Sequence, residues 1–151
     1  MQNVVRLHSG QSANGDDLIF TPGEWQNDQA PSAANARIAP ERLARRMIAA
    51  RAARRTFFSP DLFADPAWDI LLELYVLRYE QQRISVSSLC IAAAVPPTTA
   101  LRWIDKLHSE NMIQRIRDPL DGRRVWVEIS ERAFETMDDY FVSLSDNGIP
   151  I

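Results

Sequence analysis

The sequence predicts a mainly α domain with a small β-hairpin, an α+β fold, and three observations support this. Apolar residues recur at helical spacing in five segments of the chain. The spacing then changes to strict alternation over two short segments, 113–117 and 124–129, which is typical of strands. Between these strands lie Pro119 and the pair Asp121–Gly122, which favour a tight turn. We therefore predict one domain over residues 40–146.

The composition is typical of a soluble globular protein and excludes several classes. The 151 residues are 46% hydrophobic and 25% charged. A single cysteine rules out an intramolecular disulfide framework and a cysteine-based zinc cluster, and two histidines leave little for another metal centre. The sequence has no apolar run of about 18 residues and no signal peptide. We expect a cytoplasmic protein without cofactors or a membrane partner.

Residues 1–39 differ from the rest in composition. They are rich in Gln, Asn, Ser, Ala, Gly and Pro and show no sustained apolar period. We interpret them as an N-terminal tail, either flexible or docked. Trp25 is the residue most able to dock the tail on the domain or on a second subunit, because of its large apolar surface.

The first two helices are predicted over residues 40–55 and 66–82. Pro40 and Pro66 suit first-turn positions, and Asp65 is a candidate N-cap. The first helix has a narrow apolar stripe and the second a continuous apolar face, which we interpret as core rather than as a ligand pocket. The stripe is Leu43, Met47 and Ala50, with Ile48 beside it, and the face is Trp68, Leu71, Leu72, Tyr75, Val76 and Tyr79.

Two closely spaced helices follow, with a last helix after the hairpin. They are predicted over 86–94, 97–110 and 131–145, with Ser85 and Ser130 as N-caps of the first and the last. The pair Pro96–Pro97 separates the first two, because proline cannot continue the hydrogen-bond ladder. The expected inward-facing residues are Leu89, Cys90 and Ala93, then Ala100, Trp103, Ile104 and Leu107, then Phe134, Met137, Phe141 and Leu144. Asn111 is expected in the left-handed conformation.

Charge is distributed unevenly along the chain, whose net charge is -3. Residues 37–58 carry seven arginines and one acid, and residues 97–125 carry six basic and four acidic residues. Acidic segments flank both blocks. Such asymmetry is either the electrostatic footprint of a binding partner or a solvated helix face. The arginines of the first block would either contact flanking phosphates or pair with the acidic C-terminal segment of a partner subunit.

Two short helices joined by a tight turn and followed by a basic hairpin predict a winged helix-turn-helix with flanking helices. The second helix of such a unit, here 97–110, enters the DNA major groove. Thr98 and Thr99 lie in its first turn, where free backbone N–H groups attract phosphate. Arg102 has the donor geometry for guanine O6 and N7, and Lys106 is placed for a backbone phosphate.

Residues 62–133 resemble the MarR-type winged-helix transcriptional regulators. The most specific feature is the wing at 118–124, Asp-Pro-Leu-Asp-Gly-Arg-Arg, which is similar to the D-P-x-D-x-R wing of that family. The stretch 67–71 resembles the start of the family's second helix. The stretches 95–107 and 111–113 resemble its recognition helix and the exit from it.

The resemblance implies a sequence-specific regulator of double-stranded DNA, a dimeric repressor that reads a pseudo-palindrome with the helix 97–110 and the wing 113–129. It implies that Arg123 enters the minor groove, that Asp121 pairs with it, and that Arg124 also belongs to the DNA-binding wing. Any small-molecule effector stays unidentified. Half-sites about one helical turn apart would mirror the two-fold symmetry of a homodimer.

Other interpretations stay open. A winged helix can serve as a protein–protein interaction module without direct DNA binding. An enzyme is not expected, because the sequence has no nucleophile elbow, phosphate loop or metal-ligand spacing. Cys90 is either a core residue or a redox sensor, and the second requires an exposed thiolate in a positive setting. The aromatic residues Trp68, Tyr75, Tyr79, Phe57 and Phe58 either pack as core or line a pocket.

Overall fold

Five α-helices and three short strands make up residues 38–147, the part of the chain that the computed structural model describes. The helices are α1 (Pro40–Arg54), α2 (Pro66–Tyr79), α3 (Val86–Ala92), α4 (Pro97–Ser109) and α5 (Glu131–Asp146). The strands are β1 (Ile84–Ser85), β2 (Ile113–Arg117) and β3 (Val125–Ile129), and a 3-10 helix, Pro60–Phe63, precedes α2. The predicted tail, with Trp25, lies outside the described residues except for its last two. The predicted α+β winged-helix fold class is confirmed.

Side-chain caps fix where three of the helices begin. The Asp65 carboxylate accepts a hydrogen bond from the Trp68 N–H at 3.3 Å, which caps α2. Ser85 Oγ accepts from the Ser88 N–H at 3.2 Å, and Ser130 Oγ accepts from the Ala133 N–H at 3.2 Å. All three caps confirm the predictions, because each polar side chain satisfies a first-turn donor that has no partner inside the helix.

The hairpin is the larger part of a three-stranded antiparallel sheet in the order β1-β3-β2. The predicted β2–β3 pairing runs from Ile113 opposite Ile129 to Arg117 opposite Val125. Strand β1 was not predicted; it pairs Ile84 with Val127 on the other edge of β3. A strand of two residues has no periodicity to detect, so only the fold reveals it.

Helix α2 forms the centre of the core and is buried on more sides than predicted. Tyr75 is fully buried, and its ring lies 5.3 Å from that of Phe141 on α5. Ile70 and Leu74 are also buried although they lie off the predicted face, whereas Tyr79 at the end of the helix is 41% exposed. The predicted apolar face accounts for only part of the buried surface of α2, because α1, α3, α4 and β3 all contact this helix.

The aromatic residues considered as a possible pocket do not converge. Trp68 and Tyr75 pack against the core, with Trp68 roughly parallel to Phe141 at 6.3 Å between centroids. Phe57 and Phe58, by contrast, lie on the surface at 81% and 52% exposure. These five side chains therefore do not line one pocket.

The arginines of α1 bind their own chain more than the sequence suggested. Arg51 Nε lies 2.5 Å from one Asp69 oxygen, and Arg55 lies 3.3 Å from the other. The hydrogen bond that Arg51 donates to Asp69 raises the pKa of the Arg51 guanidinium. Arg45 pairs with Glu80 at the far end of α2. These pairs link α1 to α2, and contacts of the arginines with phosphates or a partner subunit stay a prediction.

The stripe predicted on α1 also needs one correction. Leu43 and Ala44 are the buried residues of this helix, with Met47 and Ile48 partly buried against the core. Ala50 was predicted on the stripe but is exposed. The two buried residues of α1 lie in its N-terminal half, whereas Arg51 in its C-terminal half contacts α2 through the ion pair with Asp69.

The turn between α3 and α4 contains a residue in a costly backbone conformation. Ala94 has φ 51°, in the left-handed region, where a Cβ atom crowds the following carbonyl. Asn111 adopts the same conformation at φ 58°, as predicted, at a smaller cost for its residue type. The apolar pattern did not predict the positive φ of Ala94, because alanine is typical of a helix interior.

We predict that Ala94→Gly raises the free energy of unfolding by about 0.5–1 kcal/mol, because glycine adopts positive φ without the Cβ clash. The control is Ala49→Gly in the exposed middle of α1, which should lower it by about 1 kcal/mol. Urea denaturation of both variants measures the difference. A loss of stability in both would show that Ala94 carries no strain.

Cys90 lies in α3 with 8% of its surface exposed, as expected of a core residue. Burial raises the pKa of its thiol, which is the opposite of what a redox-sensing thiolate needs. We expect a disulfide reagent to label Cys90 at pH 8 at least about tenfold more slowly in native protein than in urea-unfolded protein. Equal labelling rates in the two states would restore the redox-sensor interpretation.

Candidate nucleic-acid interface

Helix α4 presents one face to the core and the opposite face to solvent. Ala100, Ile104 and Leu107 are buried, as predicted. Trp103, predicted with them, is 39% exposed because it lies at the edge of this face. The candidate DNA-binding side chains lie on the other side, where Thr98, Arg102 and Lys106 are exposed and Thr99 is half-buried.

The N-terminus of α4 has no side-chain cap. Pro96 is the N-cap residue and Pro97 the first helical residue, and neither offers a backbone N–H. The Thr99 N–H donates to the Pro96 carbonyl at 2.8 Å, so this amide is not the free phosphate donor that the sequence suggested. Within the described residues the Thr98 N–H makes no hydrogen bond to the protein, so this amide and the hydroxyls of Thr98 and Thr99 are the donors that the first turn offers.

The two cations of the α4 face differ in their surroundings. Lys106 forms an ion pair with Glu110 one turn later, and the hydrogen bond from Lys106 lowers the pKa of the Glu110 carboxyl. Arg102 has no ion-pair partner in the part of the chain that the structure describes. Both side chains are exposed, so the Lys106 pair is easily exchanged for another anion.

Asp105 and Arg115 form an ion pair that the sequence analysis missed. The Arg115 guanidinium donates to Asp105 Oδ1 at 2.5 Å and so links α4 to β2. Asp105 follows Ile104 and precedes Lys106, so it lies on the exposed side of α4. Ten residues separate the two charges, and only the reversal of the chain at Asn111 brings them together.

A dense set of hydrogen bonds shapes the wing turn between β2 and β3. The Asp118 N–H donates to the Arg124 carbonyl at 2.9 Å, and the Arg124 N–H donates to the Asp121 carbonyl at 2.9 Å. The Asp118 carboxylate accepts from the Leu120 N–H at 2.9 Å, and this bond lowers the pKa of the Asp118 carboxyl. The turn is thus held by its own residues and projects Leu120 and Arg123 outward.

The arginines of the wing are placed differently from the prediction. Asp121 Oδ1 accepts a hydrogen bond from the backbone N–H of Arg123 at 3.1 Å and forms no ion pair with the guanidinium. Arg124 instead pairs with Asp118 at 3.7 Å and lies over the Trp126 ring at 5.2 Å. Asp121 therefore orients the backbone of Arg123, and the exposed Arg123 guanidinium has no ion-pair partner among residues 38–147.

The start of α4 and the wing border one groove. Pro97 and Leu101 of α4 line it together with Asp121, Arg123 and Arg124 of the wing. Six of the seven candidate DNA-binding residues are exposed, with Thr99 as the half-buried exception. The recognition helix and the wing arginine are therefore neighbours on the surface, as binding to adjacent grooves of a duplex requires.

Within residues 38–147, no group of three or more His, Cys, Asp or Glu side chains is arranged to hold a metal ion. No helix of the described part is both long and apolar enough to cross a membrane.

Comparisons with known proteins bear on this site. A family model described as the MarR family matches residues 65–125. A comparison with curated proteins gives no match.

Solved structures give distant similarities. MepR of S. aureus in complex with DNA shares 18% identity, over 71% of this chain and 82% of MepR, with a TM-score of 0.48. A MarR mutant of E. coli complexed with operator DNA shares 17%, over 72% and 67%, with a TM-score of 0.44. The adhesin competence repressor of Streptococcus pyogenes shares 21%, over 54% and 58%, with a TM-score of 0.41, so less than two thirds of that chain is spanned.

The family match confirms the resemblance drawn from the sequence. It begins at the N-cap of α2 and ends at the first residue of β3, so it contains the helix-turn-helix and the wing turn. Residues 65–125 of this chain are therefore similar to the winged helix-turn-helix segment of the MarR family.

Proposed function

We propose that this protein is a sequence-specific transcriptional regulator that binds double-stranded DNA. The single observation that carries the proposal is the placement of Arg123 beside the start of α4, on one groove of the surface. Its guanidinium is exposed, has no ion-pair partner in the described part of the chain, and stands on a turn that its own hydrogen bonds hold in place. The family match of residues 65–125 supports the same function class and speaks against an enzyme.

In this proposal α4 enters the major groove. The Thr98 amide and hydroxyl and the Thr99 hydroxyl meet phosphates or base edges at the start of the helix. Arg102 is one turn further along, exposed, and reads guanine O6 and N7 with two parallel hydrogen bonds. Lys106 exchanges Glu110 for a backbone phosphate, at little cost because the pair is exposed.

The wing enters the adjacent minor groove. A narrow A·T-rich minor groove concentrates negative potential, and an arginine inserted there senses its width without base contacts. Arg123 has this role, Asp121 fixes its backbone, and Arg124 stays on Trp126 close to the flanking phosphates. The role of Asp121 is thus indirect, since its carboxylate points to a backbone amide.

We also propose a cytoplasmic homodimer that acts as a repressor and reads a pseudo-palindrome with half-sites about 34 Å apart. Residues 40–146 would form the DNA-binding domain with its flanking helices. An exposed apolar patch after α1 supports an interface with a second copy, since patches of this kind mark interaction surfaces. It contains Phe57, Phe58, Leu62 and Phe63, which are 46–81% exposed.

We predict that Arg123→Ala weakens binding to operator DNA by about 1–3 kcal/mol, most strongly where the flanks are A·T-rich. The control is Arg132→Ala, which removes an exposed arginine on α5, away from the wing and α4. Titration of fluorescent duplexes, selected from a random pool, measures both variants. If the folded Arg123→Ala protein keeps its affinity, the wing does not contact DNA.

Arg102→Ala and Lys106→Ala should have different effects, although both remove one cation from the same helix face. We expect Arg102→Ala to cost about 1–3 kcal/mol on the best site and to relax base preference. We expect Lys106→Ala to weaken all sequences alike and to lower the salt slope by up to about 0.9. Binding isotherms on matched and mutated sites at several salt concentrations distinguish them. Identical effects of the two variants would contradict the proposed reading face.

A protein–protein interaction module is the second candidate, favoured by one observation. Two acids on α4, Asp105 and Glu110, stand beside the cations and reduce the positive charge of this face. A gel shift with random duplex at low salt separates the two functions. Complete absence of retention would favour the interaction module, because sequence-independent binding depends on net positive charge at the contact.

A further inference from the structure

The tip of the wing carries a leucine that contributes nothing to the core. Leu120 is 96% exposed, more than any other large apolar side chain of residues 38–147. It lies on the turn between β2 and β3, three residues before Arg123. A Cβ atom built on Gly122, between the two, would have no other residue's atom within 4 Å apart from its chain neighbours, so the tip is open there. The apolar surface of Leu120 is therefore available to whatever the wing contacts.

The backbone of Leu120 is held in the same way as that of Arg123. The Asp118 carboxylate accepts the Leu120 N–H at 2.9 Å. The Asp121 carboxylate likewise accepts the Arg123 N–H at 3.1 Å. In both cases an aspartate fixes the residue two positions later. The Asp118 side chain is only 11% exposed and also pairs with Arg124, so it is held as well. The wing thus presents one apolar and one cationic side chain from a turn of defined shape.

The floor of the minor groove offers an apolar side chain one distinction between base pairs. A·T and T·A pairs present only acceptors there, whereas a G·C pair adds the amino donor at guanine N2. An apolar group that covers this donor removes its water and supplies no acceptor, and a donor left in this way lowers affinity by at least about fivefold. Apolar side chains are accordingly frequent in proteins that bind the minor groove.

We propose that Leu120 is a specificity-determining residue, which contacts the floor of the minor groove beside Arg123 and rejects base pairs that carry the guanine N2 amino group. This inference rests on the proposed function and deepens it. Arg123 responds to the negative potential of a narrow groove, whereas Leu120 responds to a single exocyclic group. Because the two signals differ, an experiment that changes only this group, combined with variants of each residue, separates them.

Base analogues test the role of the amino group. In the duplex selected from a random pool, each A·T pair is replaced in turn by 2,6-diaminopurine·T, which adds an amino group in the minor groove and leaves the major-groove edge unchanged. We expect at least one flanking position where this change weakens binding of the full-length protein at least about fivefold. At the same position inosine·C, which lacks the amino group, should bind at least about fivefold more tightly than G·C. Titration of fluorescent duplexes measures both.

Two variants of Leu120 locate the effect in this side chain. Leu120→Ala should weaken binding of the unmodified site about three- to tenfold and should lower the diaminopurine penalty at least about threefold. Leu120→Asn should lower the penalty further, because its amide oxygen accepts a hydrogen bond from the added amino group. Neither change is expected to impair folding at a position that is 96% exposed, and urea denaturation checks this.

Two further variants serve as controls. Leu62→Ala shortens an exposed apolar side chain that precedes α2, outside the wing, and should leave affinity and penalty unchanged. Arg123→Ala should lower the salt slope by up to about 0.9, whereas Leu120→Ala removes no charge and should leave the slope unchanged. An altered slope in Leu120→Ala would show that the substitution displaces Arg123, and this would count against a direct contact of the leucine.

Failure of this inference and failure of the proposed function give different results. If no position shows a diaminopurine penalty, or if Leu120→Ala keeps the whole penalty, Leu120 does not select base pairs, although the protein still binds its site. If the unsubstituted protein binds no duplex at all, the proposed function is contradicted and the role of Leu120 falls with it.

Discussion

The burial of α2 is the constraint on which the rest of this structure depends. Tyr75, Ile70 and Leu72 are fully buried, and burial of each side chain of this size stabilises the fold by about 1.5–3 kcal/mol. Because α1, α3, α4 and β3 all pack on this helix, their relative positions follow from its shape. The Asp69 carboxylate also fixes the orientation of α1 on α2, since Arg51 of α1 and its C-cap residue Arg55 bind the two carboxylate oxygens.

The candidate nucleic-acid interface consists of side chains that do not pack in the core. The polar face of α4 is exposed because the opposite face supplies Ala100, Ile104 and Leu107 to the core. The wing turn satisfies its backbone with Asp118 and Asp121, so Arg123 is positioned without any partner for its charge. Positioning and charge are thus supplied by different residues, which leaves the cation available for a ligand.

Local patterns in the sequence predicted a large part of the fold. Asp65, Ser85 and Ser130 each accept a hydrogen bond from the N–H three residues later. Such a cap depends only on nearby residues, so the local sequence predicts it. The alternation at 113–117 and the turn residues likewise predicted the hairpin, because its two strands are adjacent in sequence and a short turn joins them. The candidate residues of α4 follow from the same local reasoning, whereas Asp121, Arg123 and Arg124 were implied by the family resemblance.

Features that depend on distant contacts were missed or misplaced. The Asp105–Arg115 pair and β1 exist because the chain folds back, and neither has a local signature. The expected ion pair of Asp121 with Arg123 was wrong because a short carboxylate in a turn reaches a backbone amide before it reaches a guanidinium. The groove is likewise invisible in sequence, because its walls come from three separate segments.

The shortest strand has a mechanical consequence. Ser85 ends β1, which pairs with β3 of the wing, and its hydroxyl caps α3, the first helix of the helix-turn-helix. Ser85 therefore links the sheet that contains the wing to the first helix of the helix-turn-helix. We therefore expect a twist of the sheet to rotate α3 as well, so that the wing and the helix pair move together.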